Sequence, residues 1–327
     1  MKLIDEGKKR WGVEPICRVL QFSPATYYAA TTRPPSPRET RDDKLKEAIK
    51  RIWTEHLGVY GADKVWAQLN REGERVARCT VERLMRILGL RGVVRGKKSV
   101  RTTIGDEAAA RPADLVKRKF RAAAPNALWV ADLTYVKTHS GWVYVAFIID
   151  VFSRYVVGWQ TSRSLHTDLA IDALDMAYWR RGGPHLAGLI HHSDRGVQYV
   201  SIRYTERLSE AGVVASVGSK GDSYDNALAE SFNGLYKTEL IRHRGPWSGL
   251  DDVEYATLEY VDWFNRRRLH GGLGMIPPAE FETIFRTESC RARESHERLQ
   301  EANHRHRPPM PNPGEEGGSD GSVQPVA

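Results

Sequence analysis

Apolar positions along this 327-residue chain follow two different periods, and the period changes near Pro125. Ahead of that point the spacing is helical. Residues 13–20 and the segment opened by Ser23-Pro24 predict two short helices, Ser23 offering an N-cap and Pro24 a first helical residue. Residues 31–37, rich in Thr, Pro and Ser, read as a linker. Charged helices are then expected over 41–56, 62–71 and 78–88, the second broken by Glu72-Gly73. In the third, Val81, Leu84, Met85 and Leu88 recur at i, i+3, i+4 and i+7, which turns Arg78, Glu82, Arg83 and Arg86 outward.

Beyond Pro125 the pattern becomes β-rich. Strands are expected over 128–137, 142–150 and 155–160, with Thr138 to Gly141 as the first turn. A helix over 167–180, a strand over 188–193, a helix over 202–211 and a short strand over 213–216 come next, then helices over 224–242 and 250–268. Val253, Ala256, Tyr260, Val261 and Phe264 define the buried stripe of the last. Three antiparallel strands followed by alternating helices and strands predict an α/β domain with a mixed sheet. From 287 to 327 the chain is polar, with Pro, Gly and Glu clusters, and is expected to be disordered. The division is therefore a helical segment at 1–30, a helix-turn-helix region at 31–92, a basic linker at 93–124, an α/β core at 125–286 and a tail at 287–327.

Charge separates the same halves. Residues 1–121 hold 28 Lys and Arg against 15 Asp and Glu, net +13, while the remainder holds 21 against 26, net −5. A basic front suits a polyanion, since Lys and Arg release counterions condensed on DNA. The helices there fit either a small bundle with a solvated charged face or a helix-turn-helix whose last helix reads DNA. Arg91, Arg95, Lys97, Lys98 and Arg101, directly after that helix, favour the second, and Arg78, Arg83, Arg86, Arg95, Lys97 and Lys98 are the candidate DNA contacts. Cysteines stand far apart at 17, 79 and 290, so neither a disulfide framework nor a thiolate zinc site is supported, although His191 and His192 are adjacent. No apolar run reaches the roughly 20 residues that span a bilayer. A reducing cytoplasm is the expected compartment.

Three carboxylates carry candidate chemistry. Asp132 lies inside the apolar strand Trp129-Val130-Ala131-Asp132-Leu133, where a charge is expensive unless paired, coordinated or solvated. Asp194 ends the apolar strand Leu189-Ile190-His191-His192-Ser193, at the carboxyl edge where α/β sheets gather ligands. Glu230 belongs to the helix over 224–242, in which Leu228, Phe232 and Leu235 are expected to pack on the sheet and Asn226, Glu230, Asn233 and Lys237 to project together on the other face. Hard oxygen ligands of this kind suit Mg²⁺, and a carboxylate cluster accommodates two ions for in-line displacement at phosphorus. Asp150 is either a fourth acidic neighbour or a strand-end turn residue.

Trp-Val-Ala-Asp-Leu-Thr-Tyr at 129–135, His-Ser-Asp-Arg-Gly-Val-Gln-Tyr at 192–199, Gly-Asp-Ser-Tyr-Asp-Asn-Ala at 221–227 and Glu-Ser-Phe at 230–232 resemble the integrase-core transposases. More narrowly they resemble the second-reading-frame (OrfB) proteins of bacterial insertion sequences of the IS-three group, whose acidic spacing matches the 35 residues between Asp194 and Glu230. The similarity extends to about residue 286. It implies a ribonuclease-H-like catalytic core, with Asp132, Asp194 and Glu230 as catalytic ligands of two Mg²⁺ ions, Mn²⁺ substituting, and Lys237 on the DNA end. It further implies hydrolysis that frees a 3′-OH, attack by that 3′-OH on another phosphodiester, and as partners element-end and target DNA. An upstream-frame protein or fusion, and self-association on nucleoid DNA, complete the picture. A nuclease that cuts without joining, or a DNA-binding regulator with a vestigial acidic pocket, are the rival readings.

Overall fold

The structure is a computed structural model and describes residues 1–94, 116, 121–186, 188–194, 199, 201–217 and 227–305. Three short helices open the chain, α1 (Lys2–Trp11), α2 (Val13–Val19) and α3 (Pro24–Thr32), around a small core of Ile4, Cys17 and Tyr27. The sequence pattern predicts only the last two. Helix α1 has few apolar residues to mark it, and it is seated by the Lys8–Asp5 and Tyr27–Asp5 hydrogen bonds of 2.8 and 2.7 Å.

Helix α4 (Pro37–Glu55) starts four residues before its expected position. Ser36 and Glu39 form a reciprocal capping box, with Ser36 N donating to Glu39 Oε2 at 2.7 Å and Glu39 N to Ser36 Oγ at 3.2 Å, and Pro37 takes the first helical position. Helices α5 (Ala62–Arg71) and α6 (Arg78–Ile87) follow, and Val81, Leu84 and Met85 are buried as the spacing predicts.

The core is a five-stranded sheet in the order β3-β2-β1-β4-β5, built from β1 (Leu128–Thr138), β2 (Gly141–Asp150), β3 (Val156–Ser162), β4 (Ile190–Ser193) and β5 (Val214–Val217). The first three strands pair antiparallel, and β4 joins β1 in parallel only across Leu128–Ala131. Beyond Ala131, the edge of β1 on that side has no strand partner among the described residues. Alternation along β1 sends Trp129 and Ala131 to one face, against α7 (Thr167–Arg180) and α8 (Ile202–Glu210). Val130 and Val136 go to the other, where α9 (Ala227–Tyr236) and α11 (Leu250–Arg266) pack. Gly158 lets α7 approach closely: a Cβ there would fall inside van der Waals contact of the Ala173 carbonyl oxygen. The arrangement is ribonuclease-H-like, preceded by a helix-turn-helix region.

The helical front and the sheet share one apolar body. Residues of α4–α6 belong to the same buried cluster as the α9–α11 face. At the seam His56 stacks on Tyr60, ring centroids 4.1 Å apart, and accepts a hydrogen bond from Trp263 Nε1 at 3.1 Å. The Leu269 N–H donates to Tyr60 Oη at 2.7 Å.

Helix α9 continues through a wider π turn (Lys237–Ile241) into α10 (Arg242–Arg244). The tail expected to lack structure from 287 is instead helical to Arg305, as part of α12 (Pro278–Arg305). Between Ala279 and His304 it contains neither Pro nor Gly, and Glu and Arg recur at helical spacing, as in the Glu294–Arg298 pair. Its first turns are anchored: Glu282 takes two hydrogen bonds from Arg181, at 2.6 and 2.7 Å, and one from Ser153 Oγ at 2.6 Å. The remainder of the tail, 306–327, and most of the 93–124 linker lie outside the described residues.

Candidate active site

Asp132 is the first residue of β1 past its pairing with β4. The last parallel couple is Ala131 with Ser193, so Asp132 and Asp194 are the next residues along the two strands; β4 ends there, while β1 runs on against β2. Neighbouring strands lie about 4.8 Å apart, and paired residues of parallel strands share a face. Asp132 therefore leans toward the α9 side, opposite Phe147 of β2, whose ring meets Phe232 of α9 at 4.8 Å.

Helix α9 brings the third carboxylate. Its buried stripe is Ala229, Phe232, Asn233 and Tyr236, with Leu228 and Leu235 only partly buried on the flanks. Asn233, expected on the outward polar face, is thus turned inward, and its Nδ2 donates to Asp132 Oδ2 at 2.9 Å. Glu230 stands three residues earlier on an exposed position, about 4.5 Å along the axis from Asn233. Asn226, the other member of that polar set, is outside the described residues.

Electrostatics records how these groups converge. Burial and the negative charges of Asp194 and Glu230 push the Asp132 carboxyl up to about 8, against the opposing hydrogen bonds from Leu133 N and Asn233. Lys237 is half-buried, and burial lowers its ammonium while the charge of Asp132 acts in the opposite direction. Its Nζ lies 4.5 Å from the ring centre of Tyr135.

The donor set fits a hard divalent cation: all three charged groups are carboxylates, and Asn233 Oδ1 is buried without a hydrogen-bond partner. A cation would relieve the repulsion that raises Asp132. Among the described residues, no three acidic, histidine or cysteine side chains already stand in a metal-binding arrangement. The convergence is therefore one of charge and donor chemistry rather than of a closed coordination shell.

Other candidates resolve differently. Asp150 is a turn residue, buried and accepting from Asn126 N, Phe152 N and Ser153 N at 2.7, 2.9 and 3.1 Å. His191 and His192 are both buried and bonded within the fold, to Tyr204 Oη at 3.1 Å and to Ser216 Oγ at 2.9 Å. On α6, Arg83 donates to both oxygens of Asp42, at 3.0 and 2.8 Å, which ties it to α4. Arg78 pairs with Asp63, and Arg86 is largely exposed beside Glu82. Arg95, Lys97 and Lys98 lie outside the described residues. The sequence reading missed Asn233 as the partner of Asp132, although its i+3 spacing from Glu230 was visible.

An acid whose folded pKa is raised stabilises below its unfolded value and loses that contribution as pH rises through the folded one. In EDTA, Asp132→Asn should thus raise the melting temperature at pH 8 by the equivalent of about 1–4 kcal/mol, with little gain at pH 4. Equal melting of variant and wild type at pH 8 would remove the case for a charge held at a cost. For α6, Arg83→Ala should lower stability by about 1 kcal/mol, its pair being partly exposed. Arg86→Ala should leave stability unchanged and reduce the salt slope of DNA binding by about one; an unchanged slope would take Arg86 out of the interface.

Comparison with known proteins agrees with this architecture. The integrase core domain family matches residues 122–223 and, through a second family of that description, 211–278; an HTH-like domain family matches residues 40–98. A putative transposase for insertion sequence element IS986/IS6110 from Mycobacterium tuberculosis is 55% identical over 269 residues, covering 81% of this chain and 96% of the relative. The transposase for insertion sequence element IS629 from Shigella sonnei is 54% identical over 290 residues, covering 87% and 96%. The transposase for IS904 from Lactococcus lactis is 35% identical over 252 residues, covering 76% and 98%. The chain belongs to the insertion-sequence transposases of the IS-three group, with an integrase core of the DDE polynucleotidyl-transferase superfamily.

Proposed function

We propose that this transposase cuts at the ends of its element and joins the freed 3′-OH to target DNA, using Asp132, Asp194 and Glu230 to hold two Mg²⁺ ions, with Mn²⁺ able to replace them. The observation that carries this reading is the Asp132 carboxyl at the end of a parallel strand pair, raised by burial and then by the charges of Asp194 and Glu230. Bound there, the metal would stabilise the attacking and leaving oxygens at phosphorus. Asn233 holds Asp132 in one orientation through its 2.9 Å hydrogen bond, and Lys237 supplies positive charge for the phosphates of the DNA end.

The helical front, net +13 through residue 121, holds element-end DNA through Arg78, Arg83, Arg86, Arg95, Lys97 and Lys98. Of these, Arg86 is the best supported among the described residues, because its side chain is 76% exposed against 53% for Arg78 and 37% for Arg83, and its own pair with Glu82 is a long 3.5 Å. An upstream-frame protein or fusion, self-association on DNA and action on the nucleoid in the bacterial cytoplasm belong to the same reading and rest on the family.

Labelled element-end DNA incubated in Mg²⁺ should give cleaved and joined products with the wild type and none in Ca²⁺. Glu230→Gln should reduce both products at least a hundredfold while DNA affinity stays within a factor of about two. Cleavage that survives the substitution would overturn the assignment of Glu230, and cleavage without joining would identify a nuclease instead.

A further inference from the structure

The open edge of β1 carries a feature that cleavage chemistry alone does not use. Tyr135 lies three residues beyond Asp132 and on the other face of β1, which it shares with Trp142; Trp142 stands opposite Lys137, about 17 Å along the strand from Asp132, or about five base rises of a nucleic-acid strand. The Tyr135 ring meets the Trp142 indole edge-to-face, centroids 5.2 Å apart at 82°. Trp142 begins the return strand and is 49% exposed, and Lys237 covers the Tyr135 ring. No ion pair to Lys237 occurs among the described residues, and its ammonium lies half-buried against the aromatic ring.

A lone exposed tryptophan is ordinary. This one is coupled through Tyr135 to a cation that senses Asp132, and it is carried on a rigid hairpin. The hairpin tip is pinned to the loop after α10 by hydrogen bonds from His139 N to Trp247 O at 2.9 Å and Ser140 N to Ser248 O at 3.1 Å. An aromatic surface joined to a positive charge is the combination that holds unpaired bases, the ring stacking on the base and the cation meeting the backbone.

We propose that Trp142, backed by Tyr135 and Lys237, is a stacking platform for an unpaired base about five nucleotides along the strand from the scissile phosphate, so that the enzyme prefers a frayed or single-stranded end over a fully paired one. The inference rests on the strand-cleavage reading of the carboxylates for its location, and it is a binding property separable from cleavage. Trp142 is a positioning residue here. Tyr135 holds Lys237 and the indole in place.

The test uses the full chain in Ca²⁺ and two duplexes of the element end, one blunt and one with a short single-stranded tail carrying 2-aminopurine. The wild type should quench the 2-aminopurine and bind the tailed duplex about tenfold more tightly than the blunt one. Trp142→Ala should abolish the quenching and weaken tailed binding about tenfold or more, leave blunt binding unchanged, and be rescued largely by Trp142→Phe. Tyr135→Leu should weaken tailed binding, and Tyr135→Phe should preserve it. Equal loss on both duplexes, or no loss with Trp142→Ala, would overturn the platform. If quenching is seen but the wild type never cuts either duplex in Mg²⁺, the platform stands and the cleavage reading fails.

Discussion

Asp132 places a carboxylate in the middle strand of the sheet, one residue past the point where β4 stops pairing, and pays for it first in burial and then in repulsion from Asp194 and Glu230. The surrounding structure can be understood from that constraint. A neutral amide, Asn233, rather than a cation donates the side-chain hydrogen bond to Asp132, so the carboxyl is oriented without a compensating positive charge. The two neighbouring carboxylates add to the charge rather than cancel it. Such an arrangement is costly in the isolated protein and becomes favourable when positive charge arrives from outside.

A second constraint is the seam between the helical front and the core. Trp263, His56 and Tyr60 lock α11 to the end of α4 and the start of α5, and burial holds the His56 imidazole down to about 4, favouring the neutral ring that accepts from Trp263. Nearby, Glu239 and Arg268 form a buried pair, with hydrogen bonds of 2.5 and 2.9 Å. The helices with net positive charge are thereby held in fixed relation to the sheet that bears the acidic cluster. Basic and acidic halves of the chain are two parts of one body, with α9 and its π turn as the shared member: Asn233 touches Asp132, Lys237 covers Tyr135, and Glu239 reaches Arg268.

Much of this was legible in the sequence because it is set by local periodicity. The first two strands, the helix over 167–180 and the stripe from Val253 to Phe264 appear as the pattern implies. Asp132 and Asp194 were visible as charges breaking apolar strands. What escaped reading depends on partners distant in sequence. Asn233 is polar and three residues from Glu230, so helical spacing alone puts it outside; Asp132, 101 residues away, draws it in. Periodicity groups Arg83 with the outward cations, yet Asp42 claims it. Helix α12 looked like a polar tail because its anchor, Glu282 on Arg181, is a pairing across 101 residues that composition does not show.

The central claim is that the repulsion at Asp132 is resolved by divalent cations. Titration of the DNA-bound full chain with Mn²⁺, followed by electron paramagnetic resonance of the free ion, measures this directly. The account predicts about two ions per active site in the wild type, with binding at this site lost in Asp132→Asn. Equal Mn²⁺ uptake by both proteins would contradict it.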